Sequence, residues 1–174
     1  PQQVNASIGI AKAYCTRVGE GPFPTEDFGD EGQKLRDEGG EYGATTGRPR
    51  RCGWFDAVAA NYASFINGLD GLCVTKLDVL DSFEEIKICV AYEKDGEQID
   101  YVPEFASEYE KCKPVYITMP GWMAKTAGID KYEELPLATR EYLDKLAELC
   151  GVPVVIASTG KDRNDTAVRE EMLS

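Results

Sequence analysis

Two helix-then-strand units constrain the fold of this chain more than any other feature. Residues 54–69 carry apolar side chains at three- and four-residue spacing, which predicts a helix, and an apolar strand over 72–77 follows at once. The same order recurs where a predicted helix over 135–149 precedes an apolar strand over 152–157. Buried strands joined by crossover helices are typical of parallel sheets. The sequence therefore predicts an α/β fold with a parallel sheet and crossover helices.

Shorter elements complete the predicted fold. A third helix is predicted over 25–38, capped by Thr25. The other predicted strands, two of which form an antiparallel hairpin around a Lys-Asp-Gly-Glu turn, are 6–18, 86–92, 98–102 and 115–119. The side chains that share the predicted buried face of the helix over 54–69 are Phe55, Val58, Ala59, Tyr62, Phe65, Ile66 and Leu69. A length of 174 residues favours one domain over 1–174.

Charge and cysteine usage exclude several classes of function. The formal net charge of -12 argues against nucleic-acid binding and against binding to an anionic membrane, because both partners attract basic surfaces. The six cysteines include no Cys-x-x-Cys pair and the chain has no histidine, so no zinc site is expected. We expect reduced thiols and a cytoplasmic protein.

Polar motifs follow two of the predicted parallel strands. Lys76-Leu77-Asp78 ends the first and Ser158-Thr159-Gly160 ends the second. Ligands bind at the carboxyl ends of strands in open α/β sheets. A carboxylate such as Asp78 can accept both the ring N–H and the exocyclic amine of guanine, a donor pair that adenine lacks. The two motifs together predict a guanine pocket, although a Lys-x-Asp sequence also occurs as an ordinary solvated strand end.

The stretch GATTGRPRRCGW, residues 43–54, concentrates arginines in an acidic chain. Its Thr-Thr-Gly segment offers backbone N–H and hydroxyl groups, and Arg48 and Arg50 offer planar guanidinium groups suited to carboxylate or phosphate. This pattern indicates a small anionic ligand, a carboxylic acid or a phosphorylated metabolite. The alternative is that these arginines neutralise local acids such as Glu41 and Asp56.

The longest motifs resemble one family. They closely resemble the C-terminal part of adenylosuccinate synthetase, and their order along the chain is YCTRVGEGPFPTE, EYGATTGRPRRCGWFD, INGLDGLCVTKLDVLD, IKICVAY, CKPVY, MPGW and GVPVVIASTGKDR. The resemblance covers nearly the whole chain. It implies the C-terminal portion of the adenylosuccinate synthetase fold, which is P-loop-NTPase-like.

The resemblance also implies an activity. Members of the family join IMP and L-aspartate to form adenylosuccinate, with GTP as co-substrate and Mg2+ required, and release GDP and phosphate. GTP first phosphorylates the 6-oxygen of IMP, and the amine of L-aspartate then displaces that leaving group. The step leads toward AMP, and family members are cytoplasmic homodimers.

Binding residues are carried over from the family by matching positions. The positions implied to bind substrate are Val18 at the IMP ribose and the aspartate loop of Ala44, Thr45, Thr46, Gly47, Arg48, Pro49 and Arg50, of which Arg48 also contacts IMP. The positions implied to bind GTP are Arg50, Lys76, Leu77, Asp78, Ser158, Thr159 and Gly160. One departure stands beside them, since Lys161 occupies a place where the family usually has proline.

The rest of the family's machinery has no match in this sequence. Its phosphate loop, catalytic aspartate, catalytic histidine and Mg2+ site belong to the N-terminal half, so we expect no catalytic and no metal-binding residue in this chain and no synthetase turnover by the chain alone. Two other classes stay open. One is a guanine-nucleotide-binding module without catalysis, and the other is a structural or interaction domain whose pocket binds nothing.

Overall fold

The structure is a computed structural model and describes residues 5–169. Its strands are β1 (Ile8–Lys12), β2 (Cys15–Arg17), β3 (Arg51–Gly53), β4 (Phe55–Asp56), β5 (Gly71–Thr75), β6 (Glu85–Lys94), β7 (Glu97–Ile99), β8 (Lys113–Pro120), β9 (Val154–Ser158) and β10 (Thr166–Val168). Its helices are α1 (Asp30–Gly39), α2 (Ala57–Asn67), α3 (Ala106–Tyr109) and α4 (Leu137–Cys150), and single 3-10 turns cover Leu77–Leu80 and Tyr132–Glu134.

A four-stranded sheet forms the centre of the fold, with strand order β1-β5-β9-β10. β1 and β9 both run parallel to β5, and β10 is antiparallel to β9. α2 precedes β5 and α4 precedes β9, so each of these parallel strands follows a crossover helix. The predicted parallel sheet with crossover helices is confirmed.

A second sheet carries the predicted hairpin. β6 pairs antiparallel with β7 across the Asp95-Gly96 turn, in which both residues have positive φ, 54° and 83°. β8 is antiparallel to β6 along most of its length, and the two-residue β4 is parallel to β6. β2 and β3 form a separate antiparallel ribbon.

The amino-terminal third differs from the prediction in two places. The predicted strand over 6–18 is broken at Ala13 and Tyr14, whose side chains are buried, and β2 leaves the central sheet to pair with β3. The carbonyl of Ala13 accepts a hydrogen bond from the hydroxyl of Tyr142 at 2.6 Å, a tertiary contact that holds the break. The predicted cap Thr25 is also wrong, because α1 begins at Asp30 after Gly29, and Thr25 is fully buried.

The predicted buried face of the helix over 54–69 is wrong for three of its seven residues, whereas Phe55 and Val58 are buried as predicted. Tyr62, Phe65 and Ile66 are exposed at 51%, 83% and 57%. The buried residues of α2 are Ala57, Val58 and Ser64, and Asn61 of α2 donates to the Leu149 carbonyl of α4 at 3.2 Å. The helix is therefore buried through short side chains, and three of its larger apolar side chains lie on the outer face.

The main hydrophobic core joins side chains of the central sheet, the second sheet and the helices. Among its largest fully buried members are Trp54, Leu77, Ile88, Tyr142 and Leu146. All six cysteines carry free thiols. In the part of the chain that the structure describes, no helix is both long enough and apolar enough to span a membrane.

Candidate functional site

The two strand-end motifs meet in one cavity of about 280 Å³, called here the strand-end cavity. β5 and β9 are adjacent and parallel, with Val74 opposite Ala157, so the residues that follow each strand emerge side by side. The lining residues are Lys12, Glu38, Thr75, Lys76, Asp78, Val79, Ser158, Gly160 and Lys161. This arrangement brings together four of the residues predicted from sequence although about 80 positions separate the two motifs.

Asp78 lines this cavity. No side-chain hydrogen bond to it is present among the described residues, and the residue is half-buried. Burial raises the pKa of Asp78 above its ordinary value and the Asp81 charge adds to this effect, whereas a hydrogen bond from its own backbone N–H and the charges of Lys76 and Lys161 oppose it. A partly desolvated carboxylate that receives no hydrogen bond from another side chain is suited to accept hydrogen bonds from a ligand.

Lys76 has a left-handed backbone conformation, and a hydrogen bond holds the end of its side chain. Its φ of 64° and ψ of 35° are left-handed, a conformation that costs a non-glycine residue about 1–2 kcal/mol. The ammonium donates to the carbonyl of Gly39 at 2.6 Å, which ties the end of β5 to the end of α1. The lysine stem is therefore held along the wall of the cavity, while a third of the side chain is exposed.

Three other predicted residues contribute differently. The side chain of Leu77 is fully buried in the core, so any contact with a ligand is limited to its backbone. Thr159 is also fully buried, with its hydroxyl on the carbonyl of Ile129 at 2.9 Å. Gly160 lines the cavity, and a Cβ there would lie 2.3 Å from the Asp165 carboxylate, so a side chain cannot be added without moving Asp165.

The arginine-rich loop lines a second and larger cavity of about 610 Å³, called here the arginine cavity. Its lining residues are Arg17, Val18, Gly19, Glu20, Gly21, Gly43, Thr46, Arg48, Pro49, Arg50, Arg51 and Glu110. The exposed Val18 therefore lies on the same cavity as the predicted aspartate loop. Ala44, Thr45 and Gly47 are exposed on the loop but do not line the cavity.

Backbone hydrogen bonds shape this loop. The Gly43 N–H donates to the Arg48 carbonyl at 2.9 Å, and the Arg50 N–H donates to the Glu41 carbonyl at 2.9 Å. Gly47 adopts a φ of 64°, which glycine reaches without steric cost. The loop is thus a tight turn whose two ends are joined, and Thr46 and Arg48 project from it into the cavity.

The three arginines have different electrostatic environments. Arg51 pairs with Glu26 at 2.5 Å, and Arg50 donates to Glu41 at 2.8 Å. The Arg48 guanidinium is exposed and has no hydrogen bond or ion pair with any residue in the described range. Asp56, considered above as a partner for the arginines, accepts instead from Tyr92, Tyr109 and the Ala59 N–H.

Glu41 is the buried carboxylate between the two cavities. Only 1% of it is exposed, and it accepts from Lys12 at 2.7 Å, from Tyr14 at 2.6 Å and from Arg50 at 2.8 Å. Burial opposes ionisation, but the hydrogen bonds from Lys12, Tyr14 and Arg50 lower the pKa of Glu41 below its ordinary value. The nearby carboxylate contributes, after burial, to a raised pKa of Tyr14.

Sequence reasoning missed two basic residues of the site, Lys12 and Arg17. Lys12 ends β1, so it lies at the same edge of the sheet as the two polar motifs. The strand-end rule could have found Lys12, but the predicted strand over 6–18 ran past it. Arg17 ends β2 opposite Arg51, and this ribbon was not predicted.

A magnesium site finds no support in the described residues. Within residues 5–169 no three acidic, cysteine or histidine side chains lie close enough together to hold a metal ion. The family resemblance places the Mg2+ site outside this chain, and no residue described here is assigned as a metal ligand.

Comparisons with known proteins agree on one family. The family model for adenylosuccinate synthetase matches residues 1–167. The adenylosuccinate synthetase of Aquifex aeolicus is 58% identical over 166 residues, and that of Xanthomonas campestris pv. campestris is 56% identical over 164 residues. A structure of fully ligated adenylosuccinate synthetase from Plasmodium falciparum superposes with a TM-score of 0.90 at 38% identity.

The matches cover most of this chain but a smaller part of each relative. They span 95% and 94% of the chain against 38% of the Aquifex and Xanthomonas proteins. The Plasmodium structure is matched over 95% of this chain and 40% of its own length. The chain therefore spans about two fifths of the length of the relatives that it matches.

Proposed function

Because this chain belongs to the adenylosuccinate synthetase family, we propose that it supplies the L-aspartate loop and the guanine pocket of a GTP-dependent ligation of IMP and L-aspartate. The products are adenylosuccinate, GDP and phosphate, and residues 1–174 act as one domain. The observation that carries the proposal is the meeting of Lys76–Asp78 and Ser158–Gly160 in one cavity at the carboxyl ends of two parallel strands.

Asp78 is the residue proposed to read the base. Its carboxylate accepts from the ring N–H and the exocyclic amine of guanine, which makes a pair of charge-assisted hydrogen bonds. Adenine presents no such donor pair and leaves a partly desolvated carboxylate unpaired, which is costly. The stem of Lys76 lies along the purine face, and Ser158 and Gly160 form the opposite wall.

Arg48 is the residue proposed to bind a carboxylate of L-aspartate. Its guanidinium is free of protein partners in the described range and lines the arginine cavity with Thr46. A guanidinium binds a carboxylate through two parallel N–H donors, and this geometry holds the amine of L-aspartate in one orientation. Val18, on the same cavity, is proposed to contact the ribose of IMP.

The proposal assigns a positioning role to this chain and leaves phosphoryl transfer outside it. GTP carries its phosphates with Mg2+, and the metal helps to stabilise the charge that develops when the 6-oxygen of IMP is phosphorylated. The residues described here hold the base and the amino acid. We therefore expect the isolated chain to show no turnover, and we expect the whole protein to act as a cytoplasmic homodimer.

Calorimetric titration of the chain with GDP, and with ADP as the control, tests the guanine pocket directly. GDP-selective binding, even when weak, supports a complete base pocket in this chain. Equal binding of both nucleotides would contradict the assignment of Asp78. A synthetase assay on the purified chain is expected to stay at the blank rate.

A full-length context tests the ligation itself. In a chimera, this chain replaces the region that it matches in the Aquifex aeolicus adenylosuccinate synthetase. Formation of adenylosuccinate by the chimera supports the proposed function. Binding of GDP without any turnover in the chimera would favour the second candidate, a guanine-nucleotide-binding module without catalysis, since both base-reading motifs lie within this chain.

A further inference from the structure

The strand-end cavity and the arginine cavity share one buried carboxylate, Glu41. Its two oxygens are divided between them. Oε2 accepts from Arg50, which lines the arginine cavity, at 2.8 Å. Oε1 accepts from Lys12, which lines the strand-end cavity, at 2.7 Å, and lies 3.8 Å from the ammonium of Lys76. One side chain thus contacts basic residues of both binding regions.

The environment of Glu41 requires this pairing. The carboxylate is 1% exposed, and an ionised group at such a position is stable only with close charged or hydrogen-bonding partners. The three cations around it are partly exposed. The exposed fraction of the side chain is 28% for Lys12, 36% for Arg50 and 33% for Lys76. Their outer sides therefore stay accessible to ligands while their inner sides are fixed.

Two further contacts keep Glu41 in place. The hydroxyl of Tyr14, itself buried, donates to Oε1 at 2.6 Å. Gly39, at the end of α1, leaves room for that hydroxyl, since a Cβ on Gly39 would lie 2.2 Å from it. The carbonyl of Gly39 accepts from Lys76 at 2.6 Å, so the same segment that positions Tyr14 also holds the lysine of the strand-end cavity.

We propose that Glu41 is a positioning residue that sets the aspartate loop and the guanine pocket together, by holding Arg50 with one oxygen and Lys12 and Lys76 with the other. This inference rests on the function proposed above. Removal of the negative charge leaves three neighbouring cations without their shared partner. Their mutual repulsion then displaces Arg50 from the loop and the lysines from the pocket wall.

Steady-state kinetics of the chimera test the inference. Glu41→Gln keeps the size of the side chain and removes the charge. The KM for L-aspartate and the KM for GTP are both expected to rise about tenfold, because hydrogen bonds to charged groups carry effects of this size. A merely structural role for Glu41 predicts a different pattern, in which the amount of active enzyme and kcat fall and both KM values stay the same.

Asp56→Asn serves as the matched control. Asp56 is also a buried carboxylate, 6% exposed, with hydrogen bonds from two tyrosines and a helix N–H, but it lines neither of the two cavities. This variant is expected to lower the melting temperature and to leave both KM values unchanged. Equal KM changes in the two variants would overturn the inference.

A double-mutant cycle with Arg50 separates the two arms. If Glu41 acts on L-aspartate through Arg50, Glu41→Gln changes the KM for L-aspartate in the parent chimera but not in an Arg50→Ala background. Full additivity of the two changes would overturn that arm. An inactive parent chimera would refute the proposed function and the inference with it, whereas an active parent with normal KM values in Glu41→Gln would refute the inference alone.

Discussion

Exchange of Asp78 for asparagine is the sharpest test of how the base is recognised. The carboxylate of Asp78 lines the strand-end cavity and has no side-chain hydrogen bond within the described range. The change therefore removes no hydrogen bond to another side chain, and burial already opposes the charge that it deletes. We expect the free energy of unfolding to change by less than about 0.5 kcal/mol, as for substitutions away from buried networks.

The effect on nucleotide affinity is expected to be much larger. Asparagine accepts one hydrogen bond from guanine but presents an NH2 group to the other guanine donor. Each hydrogen bond to a charged group contributes about 1.5–3 kcal/mol, so the loss of one such bond weakens binding roughly 10- to 100-fold. Xanthine carries a carbonyl where guanine carries its exocyclic amine, and the asparagine NH2 can donate to that carbonyl.

The assay compares GTP with xanthosine triphosphate as co-substrates of the chimera. In Asp78→Asn, the KM for GTP is expected to rise roughly 10- to 100-fold. The KM of this variant for xanthosine triphosphate is expected to be lower than its KM for GTP. Asp100→Asn provides the control, because Asp100 is exposed next to β7 of the second sheet and lines neither cavity. Unchanged KM values for both nucleotides in Asp78→Asn would refute the idea that Asp78 reads the base.

Four further predictions follow from the site. Arg48→Ala is expected to raise the KM of the chimera for L-aspartate at least tenfold, because it removes the guanidinium proposed to bind a carboxylate, with melting temperature as the check on folding. Lys161→Pro is expected to alter the GTP KM without changing that for L-aspartate, since this cation lines only the strand-end cavity. Gly39→Ala is expected to lower the melting temperature, because the added Cβ would lie 2.2 Å from the Tyr14 hydroxyl. The pKa of Glu41 is lowered from an ordinary value of 4.5. Its contribution to the free energy of unfolding is therefore present above about pH 4.5 and is lost as the pH falls through the lower folded-state pKa. Denaturation at several pH values is expected to show a smaller acid-dependent loss of stability in Glu41→Gln.

The sequence was sufficient to predict the central sheet and the meeting of its polar strand ends. Apolar runs after helices define parallel strands, and parallel neighbours place their carboxyl ends at one edge. For this reason Asp78 and Ser158 could be placed near each other without coordinates. The hairpin around Asp95-Gly96 was also predictable, because its turn chemistry is local.

Other features depend on tertiary contacts that no local pattern encodes. The break at Ala13 and Tyr14 is held by a hydrogen bond from Tyr142, which lies 129 positions from Ala13. The local sequence does not reveal this contact, so the predicted strand continued past Lys12. On α2 the spacing of the large apolar residues was read correctly as helical, but Phe65 lies on the outer face. The buried residues of the helix are Ala57, Val58 and Ser64, and sequence periodicity alone does not distinguish these two faces.

The arginines of residues 43–54 illustrate why two interpretations of a charge cluster need not exclude each other. Arg51 pairs with Glu26 and Arg50 pairs with Glu41, so two of the arginines do neutralise local acids. Of the two acids named in that interpretation, Glu41 has such a pair and Asp56 does not. Arg48 has no such partner in the described range and is the guanidinium available to a ligand. A pair with a buried carboxylate also fixes an arginine in one orientation while most of its five N–H donors remain for other acceptors. The acid that neutralises Arg50 is therefore also the group that prepares it to bind an anion, and the double-mutant cycle with Glu41 measures that dependence.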